Sequence, residues 1–96
     1  MEISKMLTIS TAHIHPYHVS FLDDEVRYGK TSLVVYEKSE YGWFVYTGEI
    51  MFEEWRQSEI PSSIKDCMMF ARNNGCQWLC LDRDGGIVDA LPEYEW

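Results

Sequence analysis

The sequence predicts a small α+β domain: an antiparallel-dominated sheet with two helices on one face, in the order β-α-β-β-α-β. Three observations carry this. Residues 62–81, SSIKDCMMFARNNGCQWLCL, read as an amphipathic helix, a glycine stop and a buried strand. Residues 32–36 (SLVVY) and 41–47 (YGWFVYT) read as the two arms of a hairpin. Val19, Leu22 and Val26 recur at helical spacing shortly after Pro16. Right-handed crossovers would make the sheet a ferredoxin-like split βαβ.

Each element has a local cause. Residues 6–9 form a short apolar-polar segment, read as the first strand. Pro16 suits a first helical position, because its missing N–H is not needed there. Phe21 and Tyr17 flank the Val19–Leu22–Val26 stripe. Asp23, Asp24 and Glu25 lie towards the end of that helix, where the macrodipole disfavours negative charge, so a short helix ending before Gly29 is expected. In the hairpin, Trp43 and Val45 fall on one face and Phe44 and Tyr46 on the other. One face covers the helices; the other exposes aromatic rings unless something packs there. Residues 49–59 (EIMFEEWRQSE) are ambiguous, with a short helix over 52–57 as one reading.

In the second helix Ile64, Cys67, Met68 and Ala71 share one face. Ser63 and Asp66 have the spacing of a capping box. Asn73, Asn74 and Gly75 end the helix, since glycine takes the left-handed conformation without steric cost. Cys76, Trp78 and Cys80 then alternate with Gln77, Leu79 and Leu81, a strand apolar on both faces and so central in its sheet. Asp82-Arg83-Asp84-Gly85-Gly86 stops it. Ile87 and Val88 are expected to add a short last strand.

The bulk properties narrow the function classes. The 96 residues are read as one domain, 1–96, and are 46% hydrophobic and 15% aromatic, too rich in core formers for a disordered chain. Sixteen acidic against eight basic residues give a net charge of −8. Nucleic acid and anionic membranes need Lys and Arg to neutralise phosphates, so neither is expected as a direct ligand. A basic protein, or a protein–nucleic-acid complex with a cationic groove, is the partner this charge permits. Acidic surfaces also simply keep small proteins soluble. No apolar run approaches the length of a membrane span, MEISKMLTIS is not a signal peptide, and the three cysteines are read as reduced thiols in a cytoplasmic protein.

Several groups could carry chemistry. His13, His15 and His18 lie within six residues, and with Cys67, Cys76 and Cys80 they offer soft ligands for zinc. No C-x-x-C pair exists, however, and Cys76 and Cys80 lie about 13 Å apart on a strand, too far for one metal. Asp82-Arg83-Asp84-Gly85 opens like a calcium loop but lacks the later bidentate glutamate, so a turn explains it better. A Cys–His nucleophile would need an exposed thiol beside an imidazole, and nothing marks one cysteine as activated. No cofactor, metal or catalytic residue is therefore expected. The acidic residues interleaved with rings are more suggestive: Glu53, Glu54, Trp55 and Glu59, then Asp82, Asp84, Glu93, Tyr94, Glu95 and Trp96. Rings with charged surroundings suit a protein interface, although they also serve to cap core edges.

Residues 10–14 (STAHI), Val35-Tyr36 through Tyr41-Gly42-Trp43-Phe44, Phe70-Ala71-Arg72, and Gly75-Cys76-x-Trp78-Leu79-x-Leu81-Asp82-x-Asp84-Gly85 resemble a family of small bacterial proteins of unknown function. Members of that family occur on plasmids, phages and integrated elements, often near antirestriction genes. The resemblance carries over no catalytic residue. It implies a role in counter-defence, similar in outline to nucleic-acid mimics and anti-CRISPR inhibitors. The leading expectation is thus a non-enzymatic acidic inhibitor of a CRISPR-Cas or restriction protein, occupying its nucleic-acid-binding surface. The alternatives are a small enzyme or metal protein using His13, His15 and a cysteine, and a dimeric accessory protein joined through the exposed hairpin face.

Overall fold

The computed structural model describes residues 1–29, 33–48 and 60–96. Four strands, β1 (Met6–Ser10), β2 (Val35–Lys38), β3 (Gly42–Tyr46) and β4 (Trp78–Asp82), form one sheet. Helix α1 (Val19–Tyr28) follows β1, and helix α2 (Ser62–Asn73) precedes β4. The predicted α+β class and the element order β-α-β-β-α-β are what the chain adopts.

The strand order is β1-β4-β3-β2, with β1 parallel to β4 and the other two pairs antiparallel. A split βαβ sheet would instead run β3 and β4 parallel with β1 between them. The ferredoxin-like order is therefore corrected. Burial explains the choice: Leu79, Cys80 and Leu81 are all buried, so β4 takes a place with partners on both sides. The first strand has exposed Met6 and Thr8 and goes to the edge.

Register sorts the side chains. Leu7 and Ile9 pair with Leu79 and Leu81, and Val45 lies between Leu79 and Val35. That face meets Leu22 of α1 and Ile64, Cys67, Met68 and Ala71 of α2 in one core cluster. The four α2 residues are fully buried, as the helical spacing predicted. Trp43 packs beside this cluster, on the same face as Val45. Replacing a side chain such as Leu79 by alanine here costs about 2–5 kcal/mol.

The helix ends are set by local chemistry. Gly29 is left-handed at φ 58°, and its N–H donates to the Glu25 carbonyl, closing α1. At the end of α2, Gly75 is left-handed, its N–H donates to Arg72 O, and the Cys76 N–H donates to Ala71 O. These two bonds are a Schellman closure. The start of α2 differs from expectation. Pro61 is the N-cap and no side chain caps the helix. Ser63 lies inside the first turn, buried, and its hydroxyl bonds to the 15–18 segment instead of forming a capping box.

Gly42 is required by close packing. A Cβ there would lie 1.6 Å from the Leu81 carbonyl oxygen, and its φ is +155°. On the sheet face away from the helices, the space left by Gly42 lets Lys38 of β2 reach across β3 to Asp82 of β4. The rest of that face carries Met6, Tyr36, Phe44, Tyr46 and Trp78; among the described residues no helix covers it. It is the aromatic face anticipated from the hairpin pattern.

Ile87 and Val88 form no strand, a second correction. Glycines 85 and 86 turn the chain back onto β1, where Ser10 N–H donates to Gly86 O. Val88 then bonds to a histidine ring instead of a strand backbone. Residues 49–59, including the 52–57 helix reading, lie outside the described residues.

Candidate functional site

The segment after β1 makes two 3-10 turns, Thr11–His13 and Pro16–His18. Ser10 Oγ accepts the Ala12 N–H, and His15 Nδ1 accepts the Tyr17 N–H, so each turn is opened by the side chain before it. Pro16 stands at the first position of the second turn, which feeds directly into α1.

His13 is 1% exposed and fastens the C-terminal tail. The Val88 N–H donates to Nε2 at 3.0 Å, and Nδ1 lies 2.7 Å from the Pro92 carbonyl. A backbone amide can only donate, so Nε2 is the acceptor and the ring proton sits on Nδ1, directed at Pro92. The Tyr94 N–H donates to Ala12 O at 2.8 Å, and Trp96 Nε1–H donates to Ile14 O at 3.0 Å. Four bonds thus hold residues 88–96 along the 3-10 turns.

The result is a cleft of about 410 Å³ lined by His15, Pro16 and Tyr17 on one side and Tyr94, Glu95 and Trp96 on the other. The His15 ring is 4.9 Å from Tyr17, tilted, and 5.1 Å from Tyr94, edge-on. Tyr17 is 85% exposed and Trp96 62% exposed. Tyr94, Glu95 and Trp96 were expected as partner-binding residues; the fold gathers them with His15 and Tyr17. The latter two were missed as cleft walls, although the dense run H-P-Y-H was their signal.

Behind the cleft, Ser63 Oγ accepts the His15 N–H and lies 2.6 Å from His18 Nδ1. Burial, and then the neighbouring His15, holds His18 below the usual imidazole value. Burial pushes the Cys67 thiol up to about 12, and its Sγ–H points at the His13 carbonyl, not at an imidazole. Neither His13 nitrogen is left over for a substrate. Cys67, Cys76 and Cys80 are free thiols. Among the described residues no group of three or more His, Cys, Asp or Glu is placed to hold a metal.

The other expected site residues have separate settings. Asp82 pairs with Lys38, which holds its carboxyl below the usual range, and its Oδ1 also accepts the Asp84 N–H. It therefore closes the turn after β4. Asp84 and Glu93 are exposed. A smaller groove of about 180 Å³, next to this turn, is lined by Asp23, Glu37, Glu40, Trp43 and Arg83 among others. Trp43 Nε1–H donates to Asp23 there. Glu53, Glu54, Trp55 and Glu59 lie outside the described residues.

No helix among the described residues is long and apolar enough to cross a membrane. No match was found among curated proteins or among solved structures. Residues 6–96 match the family of unknown function DUF5983, C-terminal domain, and the chain belongs to that family.

Proposed function

We propose that this member of the DUF5983 family is a non-enzymatic binding protein, an acidic inhibitor that occupies a basic, nucleic-acid-binding surface of a host defence protein in the bacterial cytoplasm. The observation that supports it is the fastened tail. Residues 88–96 are held against the body by four hydrogen bonds, two of them from Tyr94 and Trp96, yet Trp96 stays mostly open to solvent. Preorganised rings beside carboxylates lower the ordering cost of an interface. The net charge of −8 favours a cationic partner and disfavours free nucleic acid. The resemblance to proteins of phages and plasmids points to CRISPR-Cas or restriction components as the partner class, with carboxylates standing in for phosphates.

The test is capture of host proteins on the immobilised chain at rising salt, with inhibition of the captured protein as a second readout. Capture of a nucleic-acid-binding defence protein, weakening with salt and lost when Glu93 and Glu95 are both reversed to lysine, is the expected result. Inhibition unchanged by that reversal and by reversal of Glu53 and Glu54 would sink the proposal.

The open sheet face favours a second reading. Tyr36 is 58% exposed and Met6 46%, and Trp78 stacks near Tyr36 and Tyr46 at 6.1 and 5.0 Å. Such a face suits self-association as a dimeric accessory protein. Light scattering decides it: a dimer that Tyr36→Glu converts to monomer supports the reading, and a monomer at high concentration removes it.

A further inference from the structure

We infer that the cleft between Tyr17 and Trp96 receives a cationic side chain of the partner, best a planar arginine guanidinium. This rests on the binding-protein reading above and names the chemical group that the cleft selects.

Four rings line or adjoin one concavity: His15, Tyr17, Tyr94 and Trp96. Aromatic faces carry negative electrostatic potential and attract cations. Glu95 adds a full negative charge on the same lining and can accept two parallel N–H bonds from a guanidinium. The lining has no Lys or Arg to repel such a guest.

The construction of the walls argues for a platform more than a leftover surface. The polar edge of Trp96 is already spent on Ile14 O, so only its faces remain for contact. Tyr94 is held by its own N–H on Ala12 O and by its ring against His15. His15 is anchored by Ser63 and by the Tyr17 amide. These rings therefore keep their places before any ligand arrives, and a guest gives up little order in the host. Tyr17 completes the cage from the opposite side at 85% exposure, a large ring with no part in the core.

Arginine is favoured over lysine by shape. Its flat, weakly hydrated head stacks on rings and matches a carboxylate fork, whereas the lysine head is a strongly hydrated point charge.

The probes are N-acetyl-arginine methylamide, its lysine counterpart and the neutral isostere N-acetyl-citrulline methylamide. Each is titrated while the Trp96 indole N–H resonance is followed by NMR. The expected result is a saturable shift with the arginine probe, a weaker one with lysine and none with citrulline. Tyr17→Ala should weaken the arginine response about threefold to fivefold, and Glu95→Gln should weaken it further while leaving the fold intact. Equal shifts from arginine and citrulline, or a Tyr17→Ala variant that binds as well as the parent, overturn the inference. An oligo-arginine peptide separates the two levels of argument. Salt-sensitive peptide binding that Glu93→Lys/Glu95→Lys abolishes but Tyr17→Ala leaves unchanged overturns the cleft and leaves the acidic-surface reading standing. Loss of host-protein capture in Tyr17→Ala, with the fold unchanged, supports the cleft directly.

Discussion

His13 Nε2 accepts the amide proton of Val88 across 75 residues of sequence, at 3.0 Å. The same ring donates to Pro92, so one imidazole binds the tail at two points. His13 itself is 1% exposed. His13→Ala removes the partner of a part-buried N–H and of the Pro92 carbonyl, each bond contributing about 0.5–1.5 kcal/mol. Urea unfolding should show a loss of that order. Hydrogen exchange at Val88 and Tyr94 should quicken more than in β4. Unchanged exchange along residues 88–96 would falsify the clamp.

The Cys67 site makes stability depend on alkaline pH. Burial disfavours the thiolate, so the folded chain holds the thiol proton more tightly than the unfolded chain. The contribution is whole below the ordinary thiol value of 9.0 and is lost as pH rises towards about 12. Its ceiling is on the order of 4 kcal/mol, at roughly 1.4 kcal/mol per pKa unit. Denaturation midpoints measured from neutral to alkaline pH should fall more steeply for the parent than for Cys67→Ala. Cys67 should also resist alkylation until the chain unfolds.

His18 predicts an opposite dependence in acid. Its folded value is lowered by burial and by His15, so the unfolded chain takes up the proton first. Stability contributed here is complete above 6.5 and declines as pH falls from 6.5 towards the lowered folded value. Thermal melts of the parent and of His18→Gln should converge as pH drops through that window. Parallel pH profiles for the two proteins would count against it.

Two glycines give contrasting substitutions. Gly42→Ala drives a methyl into the Leu81 carbonyl oxygen and also imposes an unfavourable backbone angle. It should cost more than about 3 kcal/mol, in the range reserved for overpacking and strain. A Cβ on Gly86 meets nothing within 4 Å, and Gly86→Ala should stay within about 0.5 kcal/mol of the parent. Chemical denaturation of the pair checks both values.

Much of the fold was legible in residue spacing. The buried stripe of α2, the glycine stops after both helices and the two faces of β3 all follow from period and backbone sterics, which act locally. The order of strands did not follow, because periodicity tells which face of a strand is buried but not which strand lies beside it. Ser63 misled for a related reason: its spacing to Asp66 suits a cap, but His15 and His18 from another element compete for its hydroxyl and win. The tail was recognised by composition, as rings among acids. Its attachment to His13 was hidden, since a lone histidine advertises neither its partners nor its tautomer. His15 and Tyr17 joined the cleft only through that attachment.

The pairing of β1 with β4 bears on how the chain comes off the ribosome. The register joins Met6 to Trp78 and Ser10 to Asp82, so β1 must wait for β4, 72 residues later in the sequence, before it gains that neighbour. Until then its unpaired backbone is open to chaperones or to other nascent chains, and closing so long a loop is entropically slow. Closure of this sheet is thus postponed until β4 has cleared the exit tunnel, and a message cut short before β4 leaves β1 without its partner strand.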